Sequence, residues 1–196
     1  MSENGGTRYA LMALAPMVGG ILVFSALYFY TGETAPSEVM FQDFEEGNGT
    51  PGAYFWDVWQ GSSMFEASTV HGGERSVRMT AGENGGTIAI AAAFPSGYVD
   101  MSNATSFSIW VYDTVGNNTV QLRLKDADGD GGSGEDGYYL WSSDSSVQDQ
   151  WTKITWDLSL YPSVPNLDWD RISSIELFEH HSGTYYFDDS NFVRLS

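Results

Sequence analysis

Residues 105–125 read TSFSIWVYDTVGNNTVQLRLK, two alternating runs around a Gly/Asn-rich turn. In the first run Phe107, Ile109 and Val111 share one side, and Ser108, Trp110 and Tyr112 the other. In the second, Val120, Leu122 and Leu124 alternate with Gln121 and Arg123. A period of two in β-branched and aromatic residues predicts half-buried antiparallel strands. Trp110, Tyr112, Gln121 and Arg123 then point away from the core, on what reads as neighbouring strands.

The same signature recurs on both sides of this stretch. Strands are predicted near 39–45, 54–60, 64–69, 75–80, 87–94, 105–112, 119–125, 138–142, 151–157, 172–179 and 184–193. No amphipathic helix follows residue 38, and no internal repeat is visible. Short strands at this spacing predict an all-β domain over residues 39–196, a β-sandwich of jelly-roll type. Trp56, Trp59, Trp151 and Trp156 read as core packing, because large aromatics dominate cores.

Composition narrows the function. The 196 residues include no cysteine, which excludes disulfides, zinc-thiolate sites and a thiol nucleophile. Eight Lys and Arg against 26 Asp and Glu give a formal net charge of −18. That balance argues against nucleic acid, whose phosphates demand basic side chains. The profile suits an extracytoplasmic binding or adhesion domain.

Tyr9 to Tyr30 is a run of 22 residues without a charge. At about 1.5 Å per residue it is long enough to cross the bilayer as a single transmembrane helix, and longer than a signal-peptide core. Arg8 precedes it and Glu33 and Glu38 follow it. The expected layout is a cytoplasmic tail 1–8, a helix 9–30, a linker 31–38 and an outer domain, periplasmic or extracellular. Ala15, Gly19, Gly20 and Ala26 would let a neighbouring helix pack closely. The run holds no His, Asp or Glu, so it offers no ligand to haem or pigment.

Several segments together resemble the galactose-binding-like jelly rolls: FQDFEEG from residue 41, FWDVW from 55, HGGERSVRM from 71, ATSFSIWVY from 104, LRLKDADG from 122, QWTKITWDLS from 150, ISSIELFE from 172 and YYFDDSNF from 185. This group includes carbohydrate-binding modules of families 4/9 and 11 and the complex I intermediate-associated family. The resemblance implies a structural calcium between the first and last strands. The matching positions are Asp43, Glu45, Asp188 and Asp189, with a carbonyl near Gly72 or Gly73.

A second acidic cluster, Asp126, Asp128 and Asp130, has the spacing of the first half of an EF-hand loop. The bidentate Glu is missing at its twelfth position, and strands flank it instead of helices. It reads either as a solvated hairpin loop or as a local calcium site. Asn48, Asn103 and Asn117 head glycosylation sequons.

No HExxH, G-x-S-x-G or phosphate-loop motif is present, and no enzyme is expected. His180–His181 reads as turn surface. Two functions stand. One is a single-pass accessory subunit of a larger membrane complex, partnered by other membrane subunits and the lipid bilayer. A bacterial photosynthetic reaction-centre light-harvesting complex is its first guess, and respiratory complexes are next. The other is a membrane-anchored, cell-surface carbohydrate-binding protein, with Trp110, Tyr112, Gln121 and Arg123 as its ligand or partner face.

Overall fold

The computed structural model describes residues 36–45, 55–94, 96–127, 139–142, 144–158 and 167–195. Among them lie eleven strands: β1 (Ser37–Gln42), β2 (Phe55–Trp59), β3 (Gly61–Glu66), β4 (Ser76–Ala81), β5 (Gly86–Ala91), β6 (Ala104–Asp113), β7 (Gln121–Asp126), β8 (Tyr139–Trp141), β9 (Trp151–Asp157), β10 (Ile172–Glu179) and β11 (Gly183–Arg194). Each matches a predicted strand. β1 starts within the expected linker. Among the described residues no helix is long and apolar enough to cross a membrane. The expected span 9–30, with Ala15, Gly19, Gly20 and Ala26, lies outside them.

The strands form two sheets. Sheet A has the order β3-β4-β11-β6-β9, with β1 also paired to β11. Sheet B has the order β2-β5-β10-β7-β8. Their inner faces supply the core of the unit Glu38–Arg194. Phe107, Ile109 and Val111 of β6, Val120, Leu122 and Leu124 at β7, and Ile175 and Leu177 of β10 are fully buried. Each such side chain contributes on the order of 1.5–3 kcal/mol through removal from water. Alternation sets this pattern, since a one-residue slip would turn every one of these side chains to solvent.

The end of β1 stitches the layers together. Gln42 is buried; its Nε2 donates to the Ala91 carbonyl of sheet B at 3.2 Å, and Ser190 Oγ of β11 donates to the Gln42 carbonyl at 2.8 Å. Gln42 Oε1 accepts the N–H groups of Asp43 and Phe44 at 3.1 and 3.0 Å. This turn holds Phe44 at φ +59° with its ring in the core. Between β4 and β5 the chain changes sheets through a turn closed by reciprocal Gly82–Gly85 hydrogen bonds of 3.0 Å. Gly85 has φ +92°, and a Cβ there would collide with the Glu179 carbonyl, so only glycine fits.

One expectation about the face is overturned. β6 pairs with β11 and β9, whereas β7 pairs with β10 and β8. Trp110 and Tyr112 therefore belong to sheet A, and Gln121 and Arg123 to sheet B. The segment between β6 and β7 crosses from one layer to the other, as jelly-roll connections do, and is not a hairpin within a sheet.

Candidate functional site

The outer face of sheet B can be built row by row from its register. One row runs Trp56, Ala89, Glu176, Arg123. The next runs Trp59, Thr87, Phe178, Gln121. The sequence gives β5 small residues at these positions, so its outer side is a low floor. Trp56 and Trp59, on the edge strand β2, are 44% and 45% exposed. This corrects their reading as core packing: only Trp156 is buried in that way.

Charge is sunk into this floor. Glu176 is buried, and its carboxylate meets Arg123 Nη1 at 3.3 Å and Lys125 Nζ at 3.2 Å. Two cations on one carboxylate hold all three groups in fixed directions, which raises the cost of losing any one. Beside them the buried Thr87 Oγ1 has no hydrogen-bond partner. Gln121 Oε1 lies 3.3 Å from His180 Nε2 at the strand end, where His180 and His181 are exposed as expected. Arg123 and Gln121 thus belong to a polar floor rimmed by indole rings.

Trp110 and Tyr112 lie on the opposite face, in an aromatic cluster. His71 stacks on Trp110 with ring centroids 3.8 Å apart and an interplanar angle of 17°. Trp151 meets both His71 and Tyr112 edge-on at 5.7 Å, and Tyr186 meets Tyr112 at 5.6 Å. Little in the residue pattern signals His71, because it sits in a Gly-rich loop with no periodicity. Only the long-range pairing of that loop with β11 brings it over the sheet.

Of the four acids that the resemblance nominated for calcium, Glu45, Asp188 and Asp189 meet that loop, and Asp43 caps the Glu45 N–H. Asp188 Oδ2 accepts the N–H groups of His71 and Gly72 at 2.8 and 3.2 Å, and Asp189 Oδ2 lies 2.8 Å from His71 Nδ1. Glu45 Oε1 accepts the N–H groups of Glu74 and Arg75 at 2.6 and 3.0 Å, and Asp43 Oδ1 that of Glu45 at 3.1 Å. Gly73, at φ +62°, leaves room where a Cβ would strike the Glu45 carboxylate. Calcium takes six to eight oxygens around one point. Here the oxygens are turned to amide N–H groups, and no three acidic or His side chains converge among the described residues. Amide hydrogen bonds from the 71–75 loop to Glu45 and Asp188 tie the end of β1 to β11.

In the other acidic cluster, Asp126 is buried and its Oδ2 accepts the Asp168 N–H at 3.1 Å. It anchors a neighbouring loop. Asp128 and Asp130 lie outside the described residues.

Burial shifts two further acids. Asp188 is raised to about 6 by desolvation, against the pull of the His71 and Gly72 amides. Glu179, buried on the inner side of β10 with neither carboxyl oxygen hydrogen-bonded, is raised well above the carboxylate range by desolvation and by Asp113. Tyr185 beside them is raised by desolvation and by both acids. Asp113 accepts from Ser146 Oγ at 2.6 Å, Asn118 Nδ2 at 2.7 Å and the Val115 N–H at 2.7 Å.

No family model matches the chain, and no curated protein matches it in sequence. Solved structures match it in fold. A Clostridium thermocellum xylanase structure containing a CBM22 module and a GH10 module, complexed with xylohexaose, is similar at TM-score 0.56 and 14% identity, covering 82% of this chain and 29% of that one. The chain thus spans under a third of that structure. A CBM22 xylan-binding domain from Paenibacillus barcinonensis is similar at 0.53 and 18% identity, covering 79% of this chain and 97% of that one. The family 11 carbohydrate-binding module of Clostridium thermocellum, in complex with a β-1,3-1,4-mixed-linked tetrasaccharide, gives 0.52 and 16%, covering 81% and 96%. The chain has the jelly-roll fold of these modules, as the resemblance implied.

Proposed function

We propose that residues 38–194 bind carbohydrate without catalysis, through the outer face of sheet B. The observation that carries this reading is the Glu176 clamp beside exposed tryptophans. A sugar ring offers an apolar C–H face and a rim of hydroxyls, each both donor and acceptor. Trp56 and Trp59 supply flat apolar surface. Arg123, Lys125 and Gln121 supply donors and acceptors, the two cations held in direction by the buried Glu176 before the ligand arrives. The oligosaccharides bound by the similar modules support a β-linked polysaccharide as ligand. The apolar run 9–30 fits a tether that displays the module outside the cell. The accessory-subunit reading, with its photosynthetic first guess, draws no support from the fold or from this face.

Affinity electrophoresis of the full-length protein through gels containing xylan, mixed-linked β-glucan or soluble cellulose tests the proposal. Retardation by at least one polymer is expected, weakened about tenfold or more in Trp56→Ala. Migration unaffected by every polymer, together with co-purification at fixed stoichiometry with integral membrane subunits, would restore the accessory-subunit reading.

A further inference from the structure

We propose that sheet A carries a second saccharide-binding site, centred on Trp110, on the face opposite the Glu176 clamp. An open depression of about 500 Å³ lies there, lined by Glu38, Met40, Trp110, Lys153, Asp189 and Asn191. Its size falls in the range of small-ligand pockets. Four strands supply these residues: β1, β6, β9 and β11.

The lining selects the ligand class. Two carboxylates and one ammonium leave a net charge of −1 on a chain that is itself at −18, which disfavours phosphates and uronic acids. Met40 and Trp110 are the apolar members, too little for a lipid tail or an amphipathic helix. One indole ringed by two carboxylates, an ammonium and a carboxamide suits a neutral polyhydroxylated ring. Such a ligand lays its C–H face on the indole and shares vicinal hydroxyls between paired acceptors and donors. Lys153 Nζ and Glu38 Oε1 are 3.1 Å apart, and each keeps further hydrogen-bonding capacity.

The indole is held ready. His71 stacks on it, and His71 is itself fixed by its Nδ1 contact with Asp189 and its N–H bond to Asp188. His71 covers one face of the indole and is not among the residues that line the depression. Tyr112, Trp151 and Tyr186 continue the aromatic surface across β9, β6 and β11, giving adjoining sugars of a chain somewhere to rest. Two sites on opposite faces cannot both contact one short oligosaccharide. They make the module bivalent, and so able to bridge neighbouring polysaccharide chains or gain avidity on an insoluble matrix.

Isothermal titration of the full-length protein with xylohexaose, cellohexaose and the mixed-linked tetrasaccharide reads the number of sites. Two per chain are expected for at least one sugar. Trp110→Ala should remove one of them and Trp56→Ala the other, while Trp110→Phe keeps measurable binding because a ring remains. Lys153→Ala, at an exposed position with little role in folding, should weaken the Trp110 site about tenfold and leave the other unchanged. One site per chain that Trp56→Ala abolishes and Trp110→Ala spares would overturn this proposal and leave the sheet B reading standing. One site that Trp110→Ala abolishes and Trp56→Ala spares would overturn the sheet B reading instead. No binding to any of the sugars would sink both.

Discussion

Both outer faces of the sandwich hold an acid–base contact of similar length in very different surroundings. On sheet B, Glu176 lies 3.3 Å from Arg123 and 3.2 Å from Lys125, with 4% of its side chain exposed. On sheet A, Glu38 lies 3.1 Å from Lys153, and the two side chains are 52% and 40% exposed. Distance alone would rank them equal. Solvent separates them: water screens the sheet A pair and restores its hydration once it is broken, while the sheet B carboxylate has almost none to recover. Sheet B therefore presents a rigid polar floor, and sheet A a braced aromatic surface with an adjustable polar edge.

The sharpest way to break this contrast is Glu176→Ala. Removing the carboxylate takes away the group that Arg123, 15% exposed, and Lys125 share. A destabilisation of about 3 kcal/mol is expected, at the low end for buried pairs because Lys125 is a third exposed. Urea unfolding measures it. A loss under 1 kcal/mol would mean that water reaches the clamp freely, and the two faces would then be alike.

Inside and outside were legible from alternation on β7 and the second half of β6, but not on β5, which is buried on both faces, or on β2 and β3, which have no buried residue. Alternation does not say which sheet a strand joins. That is why Trp110 and Tyr112 were placed together with Gln121 and Arg123, read across a turn, when the two pairs lie on opposite faces. Trp56 and Trp59 misled for another reason: a large aromatic favours the core by area, but a ligand face favours the same residue. ISSIELFE held more than was read from it. Glu176 falls out of phase with Ile175 and Leu177, which marks an outward acid. Glu179 falls in phase with them, which marks an acid inside the core.

Glu179 supplies the next test, since it shares a strand with Glu176 but has no cation. Its pKa is raised, so the folded chain keeps a proton that the unfolded chain releases above pH 4.5, the ordinary value. Stability contributed by this group is complete below that pH and is lost as pH climbs toward the folded pKa, by about 1.4 kcal/mol per unit. Asp188, raised to about 6, acts with the same sign only up to that pH. Glu179 acts with that sign up to its own raised pKa, and its charged and titratable neighbours include Asp113 and Tyr185. Glu179→Gln imitates the protonated form and should lessen the fall in stability above pH 4.5 in a series of urea titrations. Glu176→Ala should leave it unchanged. Equal slopes in wild type and Glu179→Gln would show that the inner carboxyl is hydrated or paired.

The smallest effect is expected from Glu38→Gln, and it bears on sheet A directly. Two unit charges about 4 Å apart attract by about 1 kcal/mol in water. Ordering two long side chains consumes most of that, so an exposed pair is worth on the order of 0.5 kcal/mol or less. Gln keeps the length and one acceptor, so packing against Met40 is retained. The variant should unfold within about 0.5 kcal/mol of wild type at 0.15 M salt and be indistinguishable from it at 1 M. A cost above 1.5 kcal/mol that persists in high salt would show the pair strapping β1 to β9 as firmly as the Glu176 clamp joins β10 to β7. Loss of sugar binding in Lys153→Ala would then reflect a displaced β1, and the adjustable edge ascribed to sheet A would have to be given up.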